Sequence, residues 1–151
     1  MTMSRKRKKG KTMSELFKFQ IPGKPDYVQM VRLAIASIAG KADFDVDAVE
    51  DIKVAVAEAC KIISCHGFDG FSECYDIICE ITEEKLTIRI DDAGHGHDLI
   101  KGSKPCEKCP DDGDMALIVM ESLMDKVEVK MGKTKIDGIK MVKLHDQRGI
   151  V

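Results

Sequence analysis

Apolar and polar residues alternate with a period of two in five short segments, and this alternation predicts five β-strands. The apolar positions of these strands, in chain order, are Phe17, Phe19 and Ile21; Tyr75, Ile77, Cys79 and Ile81; Leu86, Ile88 and Ile90; Val127, Val129 and Met131; and those of a last strand from about Ile139 to Leu144. Only Thr82–Lys85 separates the second strand from the third, which predicts an antiparallel hairpin. The fourth and fifth strands form another hairpin through residues 132–138.

Apolar residues recur every three to four positions in three longer segments, which predicts three helices. The first helix spans about Pro25 to Gly40, the second about Val46 to Cys65, and the third about Asp114 to Asp125. The apolar stripes of the first two helices consist of Val28, Val31, Ile35 and Ile38, and of Val49, Ile52, Val56, Ala59 or Cys60, and Ile63.

Residues 91–112 have no such periodicity and contain three glycines and two prolines. A loop of this length inside a compact domain is usually a lid or a binding loop. With helices inserted between hairpins, the order of elements predicts one mixed, mainly antiparallel sheet that buries a single face under helices. The expected fold is therefore α+β, a two-layer α/β sandwich over residues 14–146 with a lid loop at 93–113, between tails at 1–13 and 147–151.

The composition supports one globular domain: 151 residues, of which 44% are apolar and 33% charged. Six of the 24 Lys and Arg residues lie within residues 1–12, which contain no acidic residue, so 18 basic residues oppose 26 acidic ones in the rest of the chain. Because phosphate contacts need a basic face, the acidic body argues against direct nucleic-acid binding. The basic tail is either a solvated, disordered segment or a contact for nucleic acid or acidic lipid. No apolar stretch is long enough for a membrane span, and a cytoplasmic location is expected.

Six cysteines without an export signal indicate reduced thiols rather than a disulfide scaffold. Four of them lie in or beside apolar-periodic segments and are expected to be buried. Cys106 and Cys109 form a CxxC between two prolines in the lid, near His95 and His97. Two thiolates and two imidazoles suit tetrahedral zinc, but a single CxxC is only suggestive. Zinc binding, a redox pair and an inert polar loop all stay open, and the inert loop is the expected reading.

Several linked segments resemble one known family. They are, in chain order, Pro25-Asp-Tyr-Val-Gln-Met-Val-Arg32, Glu50-Asp-Ile-Lys-Val-Ala-Val-Ala-Glu-Ala-Cys60, His66-Gly67, Asp92-Ala-Gly-His-Gly96 and Met120-Glu-Ser-Leu-Met-Asp-Lys-Val-Glu-Val129. Together they resemble the anti-sigma factor serine kinases of bacterial partner-switching modules, within the GHKL superfamily of histidine-kinase-like ATPases. The resemblance covers about residues 14–145. It implies the Bergerat-type fold of that superfamily, which agrees with the predicted order of elements.

The resemblance also implies an activity and partners. The expected protein is a serine/threonine kinase that binds ATP and Mg²⁺, phosphorylates a serine of an anti-anti-sigma partner of the STAS type, and sequesters a sigma factor. By the same resemblance it is expected to form a homodimer. The alternative is a catalytically degenerate regulator on the same fold, with weak or no nucleotide binding and with or without a metal or thiol site in the lid.

The implied site residues map onto this chain one by one. Glu58 is the expected general base, Asp92 the adenine anchor, and Gly94, Gly96 and Gly113 the lid glycines. Lys61 is a candidate for neutralising phosphate charge.

Two positions depart from the family pattern. The asparagine that ligates Mg²⁺ four residues after the glutamate is Ile62 here, which has no oxygen to offer. The far end of the lid has Gly113 but continues with Asp114-Met115-Ala116 instead of further glycines. These departures motivate the degenerate alternative.

Overall fold

The computed structural model describes residues 14–23, 25–63, 74–92, 113–131 and 136–145. The predicted tails and all of the predicted lid except Gly113 lie outside these ranges. Within the described ranges, no helix combines the length and the apolar composition of a membrane span.

Five strands form one sheet in which every neighbouring pair is antiparallel. They are β1 (Glu15–Pro22), β2 (Cys74–Ile81), β3 (Lys85–Asp92), β4 (Lys126–Met131) and β5 (Ile136–Leu144), and their order across the sheet is β1-β2-β3-β5-β4. The predicted hairpins are therefore present. In the β2–β3 turn, the Thr82 hydroxyl oxygen accepts hydrogen bonds from the backbone N–H groups of Glu84 and Lys85, each at 3.2 Å.

Three helices cover one face of the sheet: α1 (Val28–Lys41), α2 (Val46–Ile63) and α3 (Gly113–Leu123). A short 3₁₀ turn, Pro25–Tyr27, leads into α1. Asp45 caps α2, because its Oδ1 accepts the backbone N–H of Ala48 at 2.8 Å and satisfies a donor that the helix itself leaves free. Helix α2 packs against both α1 and α3, so it lies in the middle of the helical layer.

The core lies between the helices and the inward face of the sheet. Inward-pointing strand residues such as Ile77, Ile88 and Met141 are almost fully buried, as are Ile35 of α1 and Ile52 of α2. The helix stripes and strand alternation predicted from the sequence therefore meet in one core. The predicted α+β class and two-layer arrangement are confirmed.

Several boundaries differ from the predicted ones. Helix α1 begins at Val28 rather than near Pro25, because Pro25–Tyr27 forms the 3₁₀ turn. Helix α3 ends at Leu123 rather than near Asp125, because Asp125 turns the chain: its N–H donates to the carbonyl of Val142 at 2.9 Å and its Oδ2 accepts the N–H of Leu144 at 2.7 Å. Strand β5 begins at Ile136, three residues earlier than predicted, since Ile136 pairs with Met131 of β4. The sheet was predicted to be mixed, but among the described strands no parallel pair occurs.

Lys143 connects three elements at one end of the sheet. It occupies an inward position of β5, opposite Leu86 of β3, with 17% of its side chain exposed. Its Nζ donates to the carbonyl of Leu123, the last residue of α3, at 2.6 Å and lies 3.7 Å from Asp51 Oδ2 of α2. These contacts fix the C-terminal end of α3 beside the first half of α2.

Candidate active site

Glu58, the expected general base, lies in the second half of α2. Its side chain is 19% exposed, and its Oε2 accepts a hydrogen bond from Lys61 Nζ at 3.0 Å. The neighbouring positions Ala55 and Ala59 are fully buried. Glu58 is therefore a carboxylate at the border between core and solvent, held by an ion pair within its own helix.

The contacts of Asp51 show which side of α2 Glu58 occupies. The two residues are seven positions apart, which is close to two helical turns, so they share one side of the helix. Asp51 contacts Lys143, which also bonds the last carbonyl of α3. Glu58 therefore faces the α3 side. The C-terminal end of α3 lies beside Asp51, and the two helices pack against each other.

Asp92 is the last residue of β3 and is paired in register with Tyr75 of β2, whose side chain is fully buried. Leu86, Ile88 and Ile90 occupy the inward positions of this strand. Lys143 lies opposite Leu86, so position 92 is at the other end of β3 from the Lys143 contacts. Gly113 is the first residue of α3. Position 92 and Gly113 are thus both at the ends of their elements that lie away from the Lys143 contacts, and Glu58 is seven residues from Asp51 along α2.

The residues around Glu58 do not fit a protein-bound magnesium ion. Mg²⁺ takes oxygen ligands in an octahedral arrangement, but Ile62, one turn after Glu58, is a hydrocarbon side chain packed against the core. The other neighbour at helical spacing, Lys61, is a cation. In the part of the chain that the structure describes, no group of three or more His, Cys, Asp or Glu side chains is arranged to hold a metal ion.

The remaining candidate residues lie outside the described ranges. They are the lid glycines Gly94 and Gly96 and the zinc candidates His95, His97, Cys106 and Cys109. The zinc, redox and inert readings of the lid therefore stay predictions.

Two of the predicted buried cysteines are found in the core. Cys60 of α2 and Cys79 of β2 have no exposed surface. Burial raises the pKa of both thiols from an ordinary value of 9.0 to about 12, because a thiolate would lose its hydration there. Thiols of this kind are protonated at neutral pH and are not reactive nucleophiles.

Lys143 was not anticipated from the sequence, although it contacts both α2 and α3. A signal was present: Lys143 follows Ile139 and Met141 at a spacing of two, so the alternation of β5 assigns it to the buried face. A lysine at such a position needs acceptors from neighbouring elements.

The comparison with known families agrees with the fold. The profile of the histidine kinase-like ATPase domain matches residues 21–143. The chain therefore belongs to the histidine kinase-like ATPase family.

Similar individual proteins place the chain in a narrower group within this family. The chain is 37% identical over 128 residues to the serine-protein kinase RsbW of Listeria innocua, covering 78% of this chain and 81% of that protein. It is 33% identical over 125 residues to the RsbW of Halalkalibacterium halodurans, covering 77% and 76%. With the RsbW of Bacillus cereus strain AH187 it shares 31% identity over 124 residues, covering 76% and 77%. The expected membership in the anti-sigma factor serine kinases is confirmed.

Proposed function

We propose that this protein binds ATP and transfers its γ-phosphoryl group to a serine of an anti-anti-sigma partner of the STAS type, and that it sequesters a sigma factor. The observation that carries the proposal is the Glu58 carboxylate of α2, which is 19% exposed and lies 3.0 Å from Lys61 Nζ. The serine-protein kinases among its relatives support the same reaction.

Glu58 is suited to the role of general base. During transfer, the serine oxygen forms a bond to the γ-phosphorus, the bond to the ADP oxygen breaks, and the hydroxyl proton goes to the Glu58 carboxylate. The 3.0 Å contact with Lys61 holds this carboxylate on the α3 side of α2. Lys61 is long and 58% exposed, so its ammonium is able to approach a phosphate without leaving the helix surface.

The nucleotide would lie between β3 and α3. A carboxylate at position 92 would accept a hydrogen bond from the adenine amino group, a charge-assisted bond of roughly 1.5 to 3 kcal/mol. The start of α3 would offer backbone N–H groups to the phosphates, because a helix N-terminus favours phosphate. Gly94 and Gly96 would complete this site from the lid.

Helix α1 offers an apolar surface for a protein partner. Met30 and Leu33 are 55% and 53% exposed, and they lie three residues apart on one side of the helix. Large apolar side chains exposed together in this way often mark a protein contact. The homodimer and the cytoplasmic location remain predictions from the sequence.

Phosphoryl transfer to the cognate anti-anti-sigma protein tests the proposal. Incubation with γ-labelled ATP is expected to label one partner serine, and Glu58→Gln is expected to reduce the rate at least about 100-fold, the usual contribution of a general base. Glu50→Gln is a matched control, since Glu50 lies on the same helix and also pairs with a lysine three residues later, at 3.2 Å.

The result that would contradict the kinase proposal is an unlabelled partner with a folded protein that still binds the sigma factor. That result would favour the degenerate regulator instead.

A further inference from the structure

The positive charge beside Glu58 is the ammonium group of Lys61. The residue after it, Ile62, offers no oxygen to a metal ion. Lys61 Nζ lies 3.0 Å from Glu58 Oε2, and the next residue, Ile62, packs its side chain against the core. A divalent cation at this turn of α2 would meet a hydrocarbon on one side and a positive charge on the other. It would gain no oxygen ligand from Ile62 and would be repelled by Lys61.

We propose that the nucleotide site of this protein does not distinguish Mg²⁺-bound ATP from metal-free ATP, and that Lys61 provides the positive charge for the phosphates. The proposal rests on the proposed function, because it concerns the same nucleotide site. In this proposal Lys61 contributes to the affinity for the nucleotide, and Ile62 is the reason that the site does not select Mg²⁺.

The physical reason is the difference between the two cations. Mg²⁺ selects for a site that replaces part of its water shell with oxygen ligands. Lysine carries a compact charge with three donors on a flexible stem, so it bonds phosphate oxygens without any demand for ligand geometry. Free ATP is more negative than its magnesium complex, and the lysine attracts the more negative species at least as well. A nucleotide site that uses Lys61 is therefore not expected to bind the magnesium complex of ATP more tightly than free ATP.

Isothermal titration calorimetry with ATP provides a readout that does not depend on phosphoryl transfer. The full chain is titrated with ATP in excess Mg²⁺ and, separately, in EDTA. The two dissociation constants are expected to agree within about threefold. Lys61→Met is expected to weaken binding about tenfold under both conditions, since a charge-assisted hydrogen bond is lost.

Two further variants sharpen the test. Lys53→Met is the matched control, because Lys53 forms the equivalent pair with Glu50 on the same helix at 3.2 Å; it is expected to bind ATP like the wild-type protein. Ile62→Asn supplies an amide oxygen one turn after Glu58 and is expected to make binding at least about fivefold tighter with Mg²⁺ than with EDTA. Because Ile62 is partly buried, thermal unfolding of Ile62→Asn is measured as well, to check that this variant folds. Lys61 is exposed, so Lys61→Met tests the proposal even if Ile62→Asn does not fold.

The outcomes separate this proposal from the proposed function. If ATP binds only with Mg²⁺, and Lys61→Met binds like Lys53→Met, the inference about Lys61 is overturned while the kinase proposal stands. If ATP binds under neither condition, both are overturned.

Discussion

Gly138 shows how strongly one residue position is constrained in this sheet. It lies on β5 directly opposite Asp91 of β3. A Cβ atom at this position would overlap Asp91 Oδ1 and would lie 3.1 Å from Asp91 Cγ and 3.3 Å from the carbonyl oxygen of Ile90. The Asp91 carboxylate is therefore able to lie against β5 because residue 138 has no side chain, and there it meets Arg89 Nη2 at 3.4 Å.

We predict that Gly138→Ala destabilises the protein by about 1 to 3 kcal/mol, because the added methyl group displaces Asp91 and presses on the β3 backbone. The free energy of unfolding in urea measures this. Gly40→Ala is the matched control: its Cβ would meet nothing within 4 Å, and alanine in place of glycine in a helix is expected to stabilise by roughly 0.5 to 1 kcal/mol. Equal stability of Gly138→Ala and the wild-type protein would show that the sheet relaxes around the methyl group.

At the scale of elements, the arrangement of α2, α3 and β5 depends on polar contacts as well as on apolar packing. Lys143 reaches the last carbonyl of α3 and the Asp51 carboxylate from an inward position of β5. Asp125 then ties the turn after α3 to Val142 and Leu144 of the same strand. Asp125 belongs to one of the segments that carry the family resemblance, and its contacts here are structural.

Lys143→Met is expected to destabilise the protein by roughly 1.5 to 3 kcal/mol, the value of a hydrogen bond from a charged group, because methionine fills the space but leaves the Leu123 carbonyl without its donor. Chemical denaturation measures the loss, and Lys140→Met provides the comparison, since Lys140 lies on the exposed face of the same strand. A loss no larger than that of Lys140→Met would mean that water replaces the ammonium at the end of α3.

At the scale of the whole molecule, the core formed by the described residues contains two buried thiols, those of Cys60 and Cys79. Burial raises the pKa of each thiol from 9.0 to about 12 in the folded protein. The folded state therefore holds its thiol protons more tightly than the unfolded state does. This contribution to stability is present in full below about pH 9 and is lost as the pH rises toward 12.

The free energy of unfolding is accordingly expected to fall between pH 9 and pH 12, by up to about 1.4 kcal/mol per pH unit for each thiol. Urea unfolding at a series of pH values measures the slope. The double variant Cys60→Ala, Cys79→Ala is expected to be less stable at neutral pH but to lose stability more slowly as the pH rises. The same slope in the variant and the wild-type protein would refute the assignment to these two thiols.

The sequence by itself determined the elements and their inward faces. Strand alternation at Ile77 and Ile88 and helical spacing at Ile35 and Ile52 gave the correct buried sides, because side-chain direction repeats with the backbone period. The linked motifs also identified the family. They indicated Glu58 and Asp92 as candidate site residues, and they showed that Ile62 departs from the family pattern.

Only the tertiary structure decided how these residues are placed relative to one another. The ion pair between Glu58 and Lys61, the contacts of Lys143 with α2 and α3, and the overlap of residue 138 with Asp91 depend on the distances between specific atoms. A periodic pattern carries no such distances, because it records which side of an element is buried but not which element covers it. The end of α3 at Leu123 was missed for the same reason: Asp125 turns the chain by bonding residues of β5, a strand that follows it in the sequence.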